Sequence, residues 1–130
     1  MKARGSFELA SWQEETYEDL GGGAKLTRAS VTQTFEGDVA GAGAVEWLMA
    51  YRDDGTARFV GLQRVTGSIG GRQGSFVLET IGEFDGRVAT WKGSVVRGTS
   101  TEDLQGLSGQ AEFGAPHGST ASFDLEYSFE

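Results

Sequence analysis

Residues 37–86 read GDVAGAGAVEWLMAYRDDGTARFVGLQRVTGSIGGRQGSFVLETIGEFDG, and this stretch decides the fold. It contains four dipeptides that favour tight turns: Gly37-Asp38, Asp54-Gly55, Gly70-Gly71 and Asp85-Gly86. Glycine and aspartate tolerate the positive φ that two-residue hairpin turns require. The turns lie about 16 residues apart, and the segments between them are rich in Val, Phe, Thr, Trp and Leu. The stretch therefore predicts long antiparallel strands joined by short turns.

The same spacing, extended over all 130 residues, predicts about eight strands in one domain, residues 1–130. Eight long strands in a meander close into a barrel, because closure removes the unpaired edges. The predicted fold class is all-β, a small eight-stranded antiparallel up-and-down β-barrel, with a β-sandwich as the alternative. Residues 17–24 are predicted as a loop and residues 99–105 as a longer connection. The predicted strands are 7–13, 25–36, 39–52, 57–68, 73–84, 88–97, 107–114 and 120–129.

The composition excludes several classes of function. Cysteine is absent, which excludes disulfides, zinc–thiolate sites and a thiol nucleophile. The single histidine, His117, disfavours a multi-histidine metal centre and is at most a weak acid–base candidate on a loop. A net charge of -8 argues against nucleic acid and anionic membranes as partners. With no targeting or membrane segment visible, we expect a cytoplasmic protein without metal or cofactor.

The register of the strands follows if each turn dipeptide is a two-residue loop. Glu46 then lies opposite Gln63, and Thr80 lies opposite Trp91. Because directly opposite residues share a face and side chains alternate along a strand, every strand divides into an inner and an outer set. A slip of one residue at any turn exchanges the two sets beyond it. The predicted inner set is Val31, Gln33, Phe35, Glu46, Leu48, Phe59, Gln63, Val65, Phe76, Leu78, Thr80, Phe84, Trp91 and Val95.

This predicted lumen is apolar and aromatic, with a few polar groups that converge, which is the usual form of a small-molecule site. Glu46 is the candidate catalytic residue, since burial would raise the pKa of its carboxyl towards the range useful to a general acid or base. The predicted ligand-binding residues are Gln33, Gln63, Phe76, Thr80 and Trp91.

Three functions are consistent with this lumen. The first is binding of a small apolar or aromatic molecule, whose polar end would meet Gln33, Gln63 and Glu46. The second is a cofactor-independent cyclase or isomerase that uses Glu46 as acid or base. The third is a structural or interaction protein whose lumen is filled by its own side chains.

The predicted outer face carries most of the charges but also an apolar cluster, and clusters of this kind usually mark association sites. We therefore expect a homo-oligomer. The alternative is that a terminal segment or the connection 99–105 covers the cluster. The residues predicted to mediate association are Trp47, Met49, Tyr51 and Leu62, with Val60 and Ile81 beside them.

Four strings of the sequence resemble a bacterial family known only as a domain of unknown function. They are LTRASVTQTFEGD at 26–38, VEWLMAYRDDGTA at 45–57, FVGLQRVTG at 59–67 and GSFVL at 74–78. The similarity extends from about residue 7 to residue 129 and implies a barrel similar to that of the allene oxide cyclases. A shared fold carries no reaction with it, so the resemblance assigns no catalytic residue. The chain has Gln63 and Thr80 where the family pattern favours glutamate and histidine, which weakens an acid–base mechanism.

Overall fold

A computed structural model, which describes residues 1–116 and 120–130, shows eight strands in one closed barrel. Each strand pairs antiparallel with the next along the chain, and residues 2–7 of the first strand pair with residues 121–126 of the last. The predicted fold class is confirmed. The strands are β1 (Lys2–Gly21), β2 (Ala24–Gly37), β3 (Val39–Tyr51), β4 (Ala57–Ile69), β5 (Arg72–Phe84), β6 (Val88–Val95), β7 (Leu107–Pro116) and β8 (Ala121–Phe129).

The number of residues in each turn decides which side chains face the lumen. Gly70-Gly71 forms the predicted two-residue loop, with both residues at positive φ (56° and 86°). After β5, Phe84 pairs with Ala89, so the loop holds the four residues 85–88. Both counts are even, and the inner faces of β4, β5 and β6 are therefore those that the sequence predicts.

The two faces of strand β3 are exchanged relative to the prediction: side chains predicted to face the lumen point outward, and the others point inward. Tyr51 pairs with Ala57, and Phe35 pairs with Gly41, so five residues rather than two separate the last mutually paired positions at each end of β3. An odd count exchanges the two faces of β3. The second odd count restores the predicted faces of the strands beyond it, so the error is confined to β3.

Two aspartate side chains form hydrogen bonds at these two chain reversals. Oδ1 of Asp54 accepts hydrogen bonds from the backbone N–H (2.9 Å) and the hydroxyl (2.6 Å) of Thr56. Oδ2 of Asp38 accepts from the backbone N–H of Arg4, and the N–H of Asp38 donates to the Arg4 carbonyl, both at 2.9 Å. Such side-chain bonds to backbone groups stabilise turns longer than the two residues that the dipeptides suggest.

Strand β1 is much longer than predicted. It runs through most of the predicted loop 17–24, and the turn to β2 lies at Gly22-Gly23. Three register irregularities interrupt its pairing with β2. Beyond residue 7, β1 has β2 as its one partner among the strands that the structure describes. Its residues are almost all exposed from Glu8 onward, so the alternation that usually reveals a strand is missing.

Aromatic side chains fill the lumen. The ring of Trp91 stacks on that of Phe113, with centroids 5.0 Å apart and planes 9° apart. We call the end of the lumen where β3 begins the lower lumen. There, among Phe35, Val65 and Phe76, a cavity of about 20 Å³ remains, which is room for about one water molecule. The buried aromatic residues are Phe7, Phe35, Trp47, Phe59, Phe76, Trp91, Phe113 and Phe123.

The connection between β6 and β7 continues along the edge of β5, beside the residues of β5 that precede its pairing with β6. Oγ1 of Thr101 accepts from the backbone N–H of Ser75 at 3.0 Å, and the Thr101 N–H donates to the Ser75 carbonyl at 2.9 Å. Leu104, in a short 3-10 helix (Glu102–Leu104), is buried beside Gly74 and belongs to the core. Within the described part of the chain, no helix is long and apolar enough to cross a membrane.

Candidate functional site

A buried layer of polar side chains crosses the lumen. Nε1 of Trp91 donates to Oε1 of Gln63 at 3.3 Å, and Nε2 of Gln63 donates to Oε1 of Gln33 at 2.7 Å. Because an indole N–H can only donate, it fixes the orientation of the Gln63 amide, which in turn fixes that of Gln33. The amide nitrogen of Gln33 is left without a partner among the described residues. The layer thus uses most of its own hydrogen-bonding groups internally.

Thr80 belongs to a second buried link. Its hydroxyl accepts from Nε1 of Trp47 at 3.3 Å and donates to the carbonyl of Gly61 at 3.1 Å. Thr80 pairs with Gly93 across β5 and β6, so the predicted pairing with Trp91 is wrong by two residues. A shift of two residues preserves the face, and Thr80 still points into the lumen, where it is buried.

All five predicted ligand-binding residues lie on the inner face, but the space beside them differs. Gln33, Gln63 and Thr80 bond within the barrel. Phe76 lies in the lower lumen, beside the cavity of about 20 Å³. Trp91 borders a pocket at the end of the lumen, and Thr80 borders a region outside the barrel; both spaces are described below. The ligand-binding role of all five remains a prediction.

Glu46 does not lie in the lumen, and its predicted placement is wrong. It pairs with Leu62 rather than Gln63, because the two faces of β3 are exchanged relative to the prediction. Its side chain is 48% exposed on the outer face. Its Oε1 lies 2.7 Å from Nη2 of Arg28. A hydrogen bond from Ser30, followed by one from Arg28, lowers the pKa of the Glu46 carboxyl. The shift is opposite to the upward one that burial would produce.

An aromatic pocket opens at the end of the lumen where β3 ends and β4 begins. We call it the mouth pocket; its volume is about 220 Å³. The buried side chains of Trp47, Met49, Phe59 and Trp91 form its floor. One wall is β1 beyond residue 7, where β1 no longer pairs with β8. The lining residues are Leu9, Trp12, Trp47, Met49, Tyr51, Phe59, Phe84, Ala89, Trp91 and Ala115.

Glu14 brings a carboxylate to the edge of the mouth pocket. It pairs with the fully buried Ala29, which places it on the inner face of β1. Oε1 accepts from Nε1 of Trp12 at 3.0 Å, and Oε2 accepts from the hydroxyl of the buried Thr27 at 2.6 Å. Both oxygens are thereby oriented, and each retains capacity for another donor.

Tyr51 joins the carboxylate to the aromatic wall. Burial, and secondly the neighbouring Glu14, raise the pKa of its phenol to about 12. The phenol is therefore neutral at ordinary pH, and its hydroxyl donates to Sδ of Met49 at 4.0 Å. The ammonium of Lys25 lies 5.1 Å from the centroid of the Tyr51 ring. Glu14, Lys25 and Tyr51 also line a shallower depression adjoining the mouth pocket.

Comparison with known proteins identifies the family. A profile described as "Protein of unknown function (DUF3224)" matches residues 3–127. The chain belongs to the DUF3224 family. The resemblance to a family of unknown function is thus confirmed, whereas the likeness to allene oxide cyclase barrels remains a prediction.

A crystal structure of a DUF3224 protein of unknown function from Shewanella oneidensis MR-1 has the same fold, with a TM-score of 0.85. The two chains are 28% identical, and the similarity covers 100% of the present chain and 98% of the Shewanella one. No curated protein matches the present chain.

Several residues of the mouth pocket of this DUF3224 protein are either predicted on the outer face or not predicted as site residues. Trp47 and Met49 were expected on the outer face, but they are 3% and 5% exposed. Trp12 and Glu14 lie on a strand whose second half was not predicted. The sequence offers no signal for them, because the residues of β1 from Glu8 onward are exposed and show no alternation of apolar and polar side chains.

The outer face of the DUF3224 barrel carries an apolar patch, but its residues differ from those that the sequence predicts. Leu62 is exposed, as predicted, and Tyr51 is half-buried, whereas Trp47 and Met49 are in the lumen. The connection 99–105 lies along the edge of β5 at its other end, beside Ser75, and does not cover this patch. We call the exposed cluster the outer patch; it consists of Leu48, Val60, Leu62 and Ile81.

A larger concave region of about 900 Å³ also lies outside the barrel, across β4 to β8 and β1. Charged side chains that already pair with one another line much of it, including Arg4 with Asp124 (2.8 Å) and Lys92 with Glu112 (3.7 Å). In the described residues, no three His, Cys, Asp or Glu side chains converge as a metal site. The candidate His117 lies outside the described residues.

Proposed function

We propose that this DUF3224 protein binds a small apolar or aromatic molecule in the mouth pocket. The observation that carries the proposal is that all three tryptophans of the chain line one pocket of about 220 Å³ at the end of an otherwise filled lumen. Concave apolar sites with a few placed polar groups are the usual form of small-molecule sites. The volume suits a compound with one ring and a short substituent.

The floor of the pocket is rigid. Nε1 of Trp47 is held by Thr80, and Nε1 of Trp91 is held by Gln63. The rings of Trp47 and Trp91 meet edge to face, with centroids 5.0 Å apart. A site that is already formed loses little conformational entropy when a ligand enters, which favours affinity. The buried polar layer thus supports the proposed site without touching the ligand.

The open side of the pocket supplies polar groups. The Glu14 carboxylate can accept a hydrogen bond, and the Tyr51 hydroxyl, which lies 4.0 Å from Sδ of Met49, is a second polar group there. A ligand with an apolar ring would place the ring over the tryptophans and its polar end towards Glu14. This arrangement replaces the predicted one, in which Glu46, Gln33 and Gln63 meet the polar end.

The cyclase or isomerase alternative loses its proposed acid or base, because Glu46 faces solvent and pairs with Arg28. The filled-lumen alternative describes the lower lumen well. It differs from our proposal only at the mouth pocket, so experiments should be directed there.

Nuclear magnetic resonance of the indole N–H groups tests the proposal. The chain has three tryptophans, so a ¹⁵N-labelled sample gives three indole signals, all from the pocket. We expect titration with benzyl alcohol to shift them while the amides of Lys92 and Glu112 on the outer face stay in place.

A matched pair of variants separates pocket binding from non-specific contact. Ala115→Leu adds a side chain into the pocket, and Ala50→Leu makes the same change at an exposed site on β3. We expect Ala115→Leu to weaken binding at least about tenfold through steric exclusion, and Ala50→Leu to leave it unchanged. Equal affinities for both variants would rule out the mouth pocket as the site.

A further inference from the structure

We infer that the molecule bound in the mouth pocket is a cation: an amine or ammonium group attached to an aromatic or apolar body. This inference rests on the proposed function and specifies the class of ligand. It is carried by the placement of an oriented carboxylate beside several aromatic rings.

The carboxylate of Glu14 is prepared for a cation. Trp12 and Thr27 each donate one hydrogen bond to it and so fix its position on the inner face of β1. Neither donor carries a charge. Among the described residues, no lysine or arginine forms an ion pair with Glu14 within 4.0 Å. An ammonium group is the ligand that would neutralise this carboxylate and take up its remaining acceptor capacity.

The aromatic rings near Glu14 favour the same ligand class. The Trp12 and Trp47 centroids are 6.0 Å apart, and Tyr51 borders the same pocket. Faces of tryptophan and tyrosine attract cations through the quadrupole of the ring. The structure already contains an example, because the ammonium of Lys25 lies 5.1 Å from the Tyr51 centroid. An aromatic wall with a carboxylate at its edge binds an amine more strongly than a neutral molecule of the same shape.

The net charge of the chain favours cations over anions as ligands of the pocket. None of the ten side chains that line the mouth pocket is charged, and Glu14 and Lys25 stand at its edge. Lys25 opposes an incoming cation, but the chain as a whole carries a net charge of -8. A negative field of this kind raises the local concentration of cations and their rate of association.

Three probes of similar size test the inference: benzylammonium, benzyl alcohol and benzoate, each titrated at pH 7 against the indole signals. We expect benzylammonium to bind about tenfold more tightly than benzyl alcohol, and benzoate to bind most weakly. Equal binding of benzylammonium and benzyl alcohol would overturn the inference and leave the proposed function intact. Tightest binding of benzoate would also overturn it and would assign the selectivity to Lys25. If none of the three probes shifts the indole signals, the proposed function fails as well.

Two neutralising variants locate the source of the preference. Glu14→Gln keeps the size and an acceptor oxygen but removes the charge; Glu15→Gln makes the same change on the next residue, which pairs with Arg28 on the outer face. We expect Glu14→Gln to abolish the advantage of benzylammonium over benzyl alcohol, and Glu15→Gln to preserve it. Thermal unfolding of both variants serves as the folding control. If both variants keep the full advantage, Glu14 is not the cation's partner, and the inference fails.

Discussion

The indole N–H of Trp12 donates to Oε1 of Glu14 at 3.0 Å, and this bond places an aromatic face and a carboxylate on one wall of the mouth pocket. Both residues belong to the part of β1 that pairs with β2 but not with β8. The pocket therefore exists because the barrel closes over residues 2–7 only. The same break in pairing that opens the lumen also supplies its polar edge.

The buried amides predict non-additive stability effects. Gln63→Leu leaves the Trp91 N–H and the Gln33 carbonyl without partners, and should lower the free energy of unfolding by about 1–3 kcal/mol. Adding Gln33→Leu removes one of those orphaned groups, so the double variant should lose less than the sum of the single variants. Urea denaturation of the four-member cycle measures the coupling, with the exposed Gln73→Leu as the control. Strict additivity would mean that the two amides do not interact.

The raised pKa of Tyr51 predicts a loss of stability at high pH. Its phenol titrates near 10.0 in the unfolded chain and at about 12 in the folded one. A raised folded pKa stabilises the protein fully below the unfolded value, and this contribution is lost as pH rises from about 10 through about 12. Tyr51→Phe removes the contribution, so its Tm should fall less than that of the wild type between pH 9 and pH 11. An identical fall in the two proteins would show that Tyr51 is not shielded from water.

Glu46 has the opposite linkage. Its lowered folded pKa stabilises the protein above the unfolded value of 4.5, and that contribution disappears as pH falls through the folded pKa. Glu46→Gln should therefore lower the Tm slightly at pH 7, and this difference from the wild type should shrink as pH falls below the unfolded value of 4.5. Binding of benzyl alcohol should be unaffected. A rise in Tm at pH 7 is the result expected of a buried, unpaired carboxylate, and it would contradict the outer placement of Glu46.

We propose that a second copy of the chain covers the outer patch. Four apolar side chains on β3, β4 and β5 are exposed there, and Glu79 and Lys92 beside them supply both signs of charge for a two-fold arrangement. Sedimentation velocity should show a wild-type oligomer that Leu62→Lys converts to monomer, with the exposed Leu20→Lys on β1 as the control. A wild-type protein that stays monomeric at the highest concentration reached would contradict this proposal.

The sequence predicts the barrel and most of its inner face because turn chemistry and alternation agree over β4, β5 and β6. It misplaces β3 because a dipeptide cannot show how many neighbouring residues join the turn; at both turns an aspartate side chain accepts from a backbone N–H outside the dipeptide. One glycine is related to the inward orientation of Trp47. A Cβ at Gly61 would lie 2.6 Å from Cδ1 of Trp47, so this glycine makes room for an inward-facing indole.

The candidate site is harder to predict than the fold, for a physical reason. One wall of the mouth pocket consists of exposed residues of β1. Apolar and polar residues alternate in a strand only where one of its faces is buried, so this part of β1 has no such pattern. Glu14 lies among other acidic residues, Glu15, Glu18 and Asp19, that resemble a solvated run of charge. Only the pairing of Glu14 with Ala29 shows that it lies on the inner face.

The central claim, that a small molecule binds at the mouth of the barrel, is tested most directly by locating one. Crystals soaked with 4-bromobenzyl alcohol would show the bromine by its anomalous scattering. We predict one peak in the mouth pocket, between Trp12 and Trp91, with the hydroxyl towards Glu14 or Tyr51. A peak confined to the concave region of about 900 Å³ outside the barrel would contradict the account. So would an empty mouth pocket at a compound concentration that shifts the indole signals in solution.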